Sequence, residues 1–252
     1  MNKKIVLLCS ACYPTTVLYN YINGSFEIDH VIEEKPMRGL ALAKRRFRKL
    51  GFFRVTGQIA FSFLVVPFLN ARGRKRISEL KRKYAFNESP VPGKKITRFN
   101  TVNDASCIQL LQQIDPAVVL VSGTRIISKK VLESCKAEFI NMHAGITPAY
   151  RGVHGGYWAV ANKDDENFGV TVHRVDKGID TGEILYQQRI PVTSNDNYAT
   201  YPYLQLGEGL PLVRKAIEDV FTGGLKPQAI ASGRGRLWYH PTILQYFFYR
   251  KK

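Results

Sequence analysis

Short, uninterrupted apolar runs, too brief for helices and separated by amphipathic stretches, constrain the fold of this chain more than any other feature. Residues 4–9 form one such run, and Val118-Val119-Leu120-Val121, entered from Ala117 after Asp115-Pro116, form another. A run of this length without polar alternation reads as a strand covered on both faces, the usual condition of a parallel strand. Residues 15–22 and 105–113 between these runs read as helices. Residues 26–32 predict a second strand, and Glu138-Phe139-Ile140 leads into Asn141 as another. Residues 155–162 suit a helix, residues 170–175 alternate like a strand, and residues 183–192 like its neighbour. Residues 206–221 predict a long helix, interrupted or preceded by Pro211. Strands alternating with helices give an α/β fold around a mostly parallel sheet, whose ligands bind beyond the carboxyl ends of the strands.

With 252 residues and 45% hydrophobic content, the chain can bury one sizeable core with a small appendage. The apolar run after Lys3 and Lys4 is too short for a secretory signal. Four cysteines do not suggest a disulfide scaffold, so a reduced, cytoplasmic setting is expected. Cys9-x-x-Cys12 is a lone CxxC pair with Pro14 after it, and it reads as thiols at the end of a strand, not as a redox motif. The net charge of +17 is unevenly placed. From Lys35 to Lys83 there are fifteen Lys or Arg and one acid, Glu79, a local balance of +14, which leaves +3 for the rest. Within this region, residues 55–71 carry no charge at all. Residues 37–84 therefore read as a basic insertion into a nearly neutral domain. Its apolar stretch is at the lower edge of a membrane span and contains Gln58, Ser62, Pro67 and Asn70, which disfavours a true span. An interfacial helix on anionic lipid and a helical hairpin packed on the domain both remain open. The expected division is residues 1–225 as the main domain and residues 226–252 as an aromatic and basic tail, with Tyr246-Phe247-Phe248-Tyr249 followed by Arg250-Lys251-Lys252.

Asn141-Met142-His143 closes one predicted strand. Tyr150-Arg151-Gly152 follows, and then Asp176-Lys177-Gly178-Ile179-Asp180-Thr181-Gly182. These segments supply an amide, an imidazole and a carboxylate near strand ends. Acyl transfer to an amine needs such groups: a donor to a developing oxyanion, a proton acceptor, and an acid that tunes the acceptor. Taken singly, Asn141 reads as a turn cap and His143 as a structural histidine. His154, in Gly152-Val153-His154-Gly155-Gly156, reads as facing solvent. No His, Cys or acid cluster has zinc spacing, so no catalytic metal is expected.

Asn-x-His, then Pro148 and Arg151-Gly152, then Val170-Thr171-Val172-His173 with Asp180 seven residues on, resembles the folate-dependent formyltransferase family. Its members include glycinamide ribonucleotide, methionyl-tRNA and sugar N-formyltransferases. The resemblance is good over about residues 110–195. It implies an open Rossmann-like sheet, 10-formyltetrahydrofolate as cosubstrate, and Asn141, His143 and Asp180 as catalytic groups. Ser122 to Ile127 resembles the segment whose backbone meets the pterin ring, which assigns folate contacts to Gly123, Thr124, Arg125, Ile126 and Ile127. Asp176 joins that set, although it also reads as a turn residue beside Gly178. Ser10, Arg151 and His173 are candidate substrate contacts. Arg151 could equally fix its own loop, and His173 could equally be a strand-pairing residue.

The acceptor is the open question. The loop after the first strand, Ser10-Ala11-Cys12-Tyr13-Pro14-Thr15-Thr16, lacks the glycines with which backbone amides approach a phosphate, which argues against glycinamide ribonucleotide. A tRNA acceptor would suit the basic insertion. Yet the chain ends too soon for the C-terminal barrel of tRNA formyltransferases. An amino sugar, nucleotide- or lipid-linked, is the expected acceptor, with glycinamide ribonucleotide the alternative. A non-catalytic folate-binding or membrane-surface adaptor, and hydrolysis of the formyl donor, are further readings. Expected partners are the small-molecule amine, an anionic membrane surface met through residues 37–84, and a second copy of the chain. Nucleic acid is not expected. The expected location is cytoplasmic, peripheral on the inner membrane face if the insertion meets lipid.

Overall fold

The apolar runs are the centre of a seven-stranded sheet. The computed structural model describes residues 3–36, 40–229 and 235–250, with the side chains of residues 40–43 and 250 outside that description. The first residues of the expected insertion, 37–39, and the terminal Lys251 and Lys252 lie outside the described residues.

The first run is β1 (Ile5–Ser10), followed by α1 (Tyr13–Asn23), whose first turn holds Pro14 where no backbone donor is needed. Next is β2 (His30–Glu34), which starts later than the sequence predicts. Residues 26–29 are a lead-in, pinned by Ile28 N donating to Asn23 Oδ1 and by Asp29 accepting from Ile5 N. The insertion follows as α2 (Leu40–Leu50), α3 (Phe52–Ala60), a π-helical turn (Phe61–Val65) and α4 (Val66–Lys83). After it come β3 (Ile96–Phe99), α5 (Ala105–Ile114), β4 (Val118–Ser122), α6 (Lys129–Leu132) and β5 (Glu138–His143). The chain continues through β6 (Tyr150–Gly152), α7 (Gly155–Ala161), β7 (Gly169–Arg174) and β8 (Ile184–Arg189). Then come α8 (Tyr201–Thr222), β9 (Arg236–Trp238) and α9 (Ile243–Arg250).

The sheet order is β3-β2-β1-β4-β5-β7-β8. The first five strands are parallel, and β7 and β8 close one edge antiparallel. Val6, Leu8, Val119 and Val121 face one core layer with α5, while Ile5, Leu7, Val118 and Leu120 face the other with α1 and α8. Both faces of β1 and β4 are thus buried, which is why their sequences do not alternate. β3 was not predicted, because Ile96-Thr97-Arg98-Phe99 is a half-exposed edge strand with polar side chains.

α8 runs unbroken through Pro211, the residue expected to interrupt or precede it. Its buried stripe, Leu206, Leu210, Val213 and Ile217, lies in the main core, and that burial outweighs one missing backbone donor. The described residues after 225 pack on the sheet domain and its insertion. β9 pairs in parallel with β6, and α9 lies against α3 and the π turn through Ile243 and Tyr246.

Candidate active site

The antiparallel register of β5 and β7 builds the site. It sets Asn141 opposite His173 and His143 opposite Thr171, two cross-strand pairs on one sheet face at the carboxyl end of β5. Thr171 is fully buried and ties down the loop after His143. Its Oγ1 donates to Gly145 O at 2.8 Å and accepts from Thr147 N at 3.1 Å and from Gln187 Nε2 at 3.0 Å.

The two imidazoles are held in different tautomers by backbone carbonyls. His173 Nδ1–H donates to Arg174 O at 2.7 Å, so its Nε2 accepts from Asn141 Nδ2 at 3.1 Å. That bond uses one amide hydrogen of Asn141 and leaves the other for the cleft the residue lines. His143 Nε2–H donates to Tyr150 O at 2.7 Å, so its lone pair is at Nδ1, 3.4 Å from Asp180 Oδ2. Asp180 has a left-handed backbone (φ 51°), a conformation aspartate tolerates, and Oδ2 accepts from Gly152 N at 2.8 Å. Gly152 has φ 94°, and a Cβ there would lie 2.3 Å from Trp238 O, so only glycine presents this N–H to the carboxylate.

Burial lowers the His143 pKa below its ordinary value, against the opposing pull of Asp180, and keeps the ring neutral near neutral pH. Burial also pushes Asp180 up, but the neighbouring His173, the His143 ring and the Gly152 N–H outweigh it and hold the carboxyl low. His173 Nε2 lies 3.6 Å from Asp180 and is engaged with Asn141, so the Gly152 N–H is the short hydrogen bond in this set. The result is a neutral base beside an ionised acid.

Asn141, His143, His173 and Asp180 open on one cleft of about 660 Å³. The expected folate segment, Gly123, Thr124, Arg125, Ile126 and Ile127, lines the same cleft. Within that segment Ile126 stands half exposed, while Ile127 turns into the core. The Arg125 side chain is committed elsewhere. Its Nε meets the buried carboxylate of Glu34 at 2.9 Å, and its Nη2 donates to Lys35 O and Asn100 O, each at 2.6 Å. Asp176 lines the cleft too, with its carboxylate accepting from Thr181 Oγ1 and Gly178 N inside its own turn.

Two predicted substrate contacts are not among the cleft's lining residues. Ser10 ends β1 next to Gly123, and its carbonyl accepts from Thr15 Oγ1. Arg151 reaches Gly235 O at 3.4 Å, and its Nε is buried without a hydrogen-bond partner among the described residues. His154, expected to face solvent, instead packs at the cleft edge between Tyr198 Oη (2.7 Å) and His240 Nδ1 (3.0 Å). Burial, with His240 adding to it, drives its pKa down to about 3. Nothing in the sequence near His154 signals this, because both partners are more than forty residues away. Of the CxxC pair, Cys9 is buried, with its thiol pushed up to about 12 by burial, and Cys12 is exposed; both are free.

Residues 72–203, just over half of the chain and all three candidate catalytic groups, match the family model described as Formyl transferase. The chain belongs to the formyl transferase family. It is 30% identical over 159 residues to a methionyl-tRNA formyltransferase of Clostridium acetobutylicum, an alignment covering 62% of this chain and 50% of that one. The chain spans about half the length of the curated relatives it matches. Among solved structures, the fold is shared with the phosphoribosylglycinamide formyltransferase of Anaplasma phagocytophilum (TM-score 0.59, 16% identity, 95% of this chain and 100% of that one). It is also shared with the Helicobacter canadensis N-formyltransferase in complex with folinic acid and dTDP-3-aminofucose (TM-score 0.56, 18% identity, 94% and 71%). The Rossmann-like, mostly parallel sheet expected from the resemblance is the sheet observed.

Proposed function

We propose that the chain is an N-formyltransferase that moves the formyl group of 10-formyltetrahydrofolate to the primary amine of an amino sugar, nucleotide- or lipid-linked. The observation that supports this above all is the meeting of a neutral His143, an ionised Asp180 and an oriented Asn141 amide in one cleft. The cleft suits a flat heterocyclic donor ring, since Ile126 stands half exposed to pack on its face and the Gly123 loop backbone lies beside it.

The donor supplies a carbonyl carbon and a leaving nitrogen. Asn141 Nδ2 donates its second hydrogen to the carbonyl oxygen as negative charge develops there. His143 takes the proton of the attacking amine at Nδ1, the nitrogen left open by the Tyr150 bond, and returns it to the leaving nitrogen. Asp180 stabilises the imidazolium formed between those transfers. His173 acts through Asn141, fixing the direction of its amide.

The glycine-free loop after β1 supports an amino sugar over a ribonucleotide. There Thr15 Oγ1 bonds Ser10 O and Ser122 Oγ, so the start of α1 is filled by the chain's own groups. The test incubates the purified full chain and the formyl donor with amino-sugar nucleotides, lipid-linked amino sugars and glycinamide ribonucleotide, and follows tetrahydrofolate release. Release that requires an amino sugar is the expected result. Release without any amine would make the chain a hydrolase, and release with glycinamide ribonucleotide alone would overturn the acceptor.

A further inference from the structure

The insertion carries two apolar faces, and only one of them is covered. Phe52–Lys83 is continuous helix, 32 residues long and apolar enough by length and composition to cross a membrane. Val55, Gln58, Phe61, Val65, Leu69, Gly73 and Leu80 form a buried stripe along it. That stripe is pinned to the domain along its length. Gln58 Nε2 donates to His240 O at 2.7 Å, Phe61 packs edge-on against Tyr198, and a Cβ at Gly73 would lie 3.1 Å from Thr200. A helix fastened in this way lies along the domain and does not span a bilayer.

The opposite stripe is open. Phe53 is 89% exposed, Phe63 75% and Leu64 69%, with Phe52, Ile59 and Phe68 beside them. α9 repeats the arrangement: Ile243 and Tyr246 pack inward on the π turn, while Leu244, Phe247 and Phe248 point out. Among the described residues, every exposed large apolar side chain except Ile126 is on these two neighbouring helices. Solubility alone would favour a polar outer face on a surface helix, so a concentrated apolar one marks an interaction surface.

The charge around it identifies the partner. Basic residues stand at both ends of the apolar stripe, with Lys44, Arg45, Arg48 and Lys49 before it and Arg72, Arg74 and Lys75 after it. From Lys44 to Lys75, no Lys or Arg meets a carboxylate among the described residues. Protein interfaces are depleted in lysine at their cores, whereas phenylalanine and leucine flanked by Lys and Arg that meet no carboxylate are the signature of a helix lying in an anionic bilayer interface. We infer that the outer face of α3, the π turn, α4 and α9 docks in the plane of an anionic lipid membrane. On the covered side of this helix, Gln58 donates to His240 O, and His240 meets His154 at the cleft edge.

The test is flotation of the full chain with vesicles of phosphatidylcholine, with and without phosphatidylglycerol, at low and high salt. It is independent of catalysis and stands whether or not the formyl-transfer reading does. Wild type should float with the phosphatidylglycerol vesicles and be released by salt. The combined Phe53→Ser, Phe63→Ser and Leu64→Ser variant, which touches only exposed positions, should bind at least about tenfold more weakly while its circular dichroism and melting temperature are kept. If that variant misfolds, Arg72→Glu with Lys75→Glu serves instead and should weaken binding to the anionic vesicles. Wild type remaining with the unbound fraction overturns the inference. So does flotation unchanged in the variants, or a solution dimer lost in the serine variant without any lipid binding.

Discussion

Asn141 earns its place through a neighbour. Its amide is oriented by a histidine thirty-two residues away, which is itself fixed by a carbonyl. Asn141→Ala should therefore lower kcat by about 10²- to 10³-fold, the usual effect of losing one oxyanion donor, with donor binding and circular dichroism kept. His173→Ala should lower kcat less and leave KM largely unchanged, because the Asn141 amide survives but loses its direction. The pH dependence follows from the charge states. A His143 pKa below its ordinary 6.5 means the free base already dominates at neutral pH. kcat/KM should rise with pH along a limb below about 6.5 and then level off. Asp180 raises the His143 pKa, so Asp180→Asn, which retains a residue type that tolerates the left-handed backbone, should move that limb further down while reducing the rate. A limb at or above 6.5 in wild type would sink the assignment of His143 as base.

At the scale of elements, the site depends on how α8 and β7 hold β5. Gly207 in α8 lies so close to Tyr84 that a Cβ there would fall 2.3 Å from the ring. Gly207→Ala should cost about 1–3 kcal/mol through overpacking, read as a lower denaturant midpoint with an unchanged slope. Thr171→Val keeps shape but leaves Thr147 N and Gly145 O without their buried partner, costing about 1–3 kcal/mol per unsatisfied group. It should also lower kcat, because the loop it anchors follows directly on His143. The helices expected over residues 155–162 and 105–113 are found as Gly155–Ala161 and Ala105–Ile114, the second legible from its amphipathic pattern. β3 was not legible, because an edge strand need not bury either face, and neither was the β6–β9 pair, whose two three-residue strands lie more than eighty residues apart.

For the molecule as a whole, three histidines whose surroundings lower their pKa values, buried His143, half-buried His154 and exposed His240, give acid a common effect. Burial lowers the pKa of His143, His154 and His240, with Asp180 opposing in the first, His240 adding to the second and Arg46 adding to the third. Each stays neutral when folded but takes a proton when unfolded below about 6.5, so the stability they allow is full above that pH and erodes as the pH falls, for His154 down to about 3. Melting temperature should therefore drop between about pH 7 and pH 5, and a rise over that window would contradict their neutral state in the folded protein. The insertion carries most of the net positive charge, which the rest of the chain nearly lacks.

The order of short apolar runs and helices and the uneven charge are local features of the sequence and sufficed to predict the α/β sheet, while the resemblance carried by the Asn-x-His and Asp180 blocks implied three candidate residues. The tertiary structure alone decided which nitrogen of each site histidine meets a backbone carbonyl, that the Arg125 side chain is held by Glu34, that Arg151 is not among the cleft's lining residues, that His154 packs between Tyr198 and His240, and which face of the insertion is left open. Those outcomes rest on partners brought together from distant parts of the chain. No local pattern records them, because periodicity reports that a face is apolar and not what comes to lie against it.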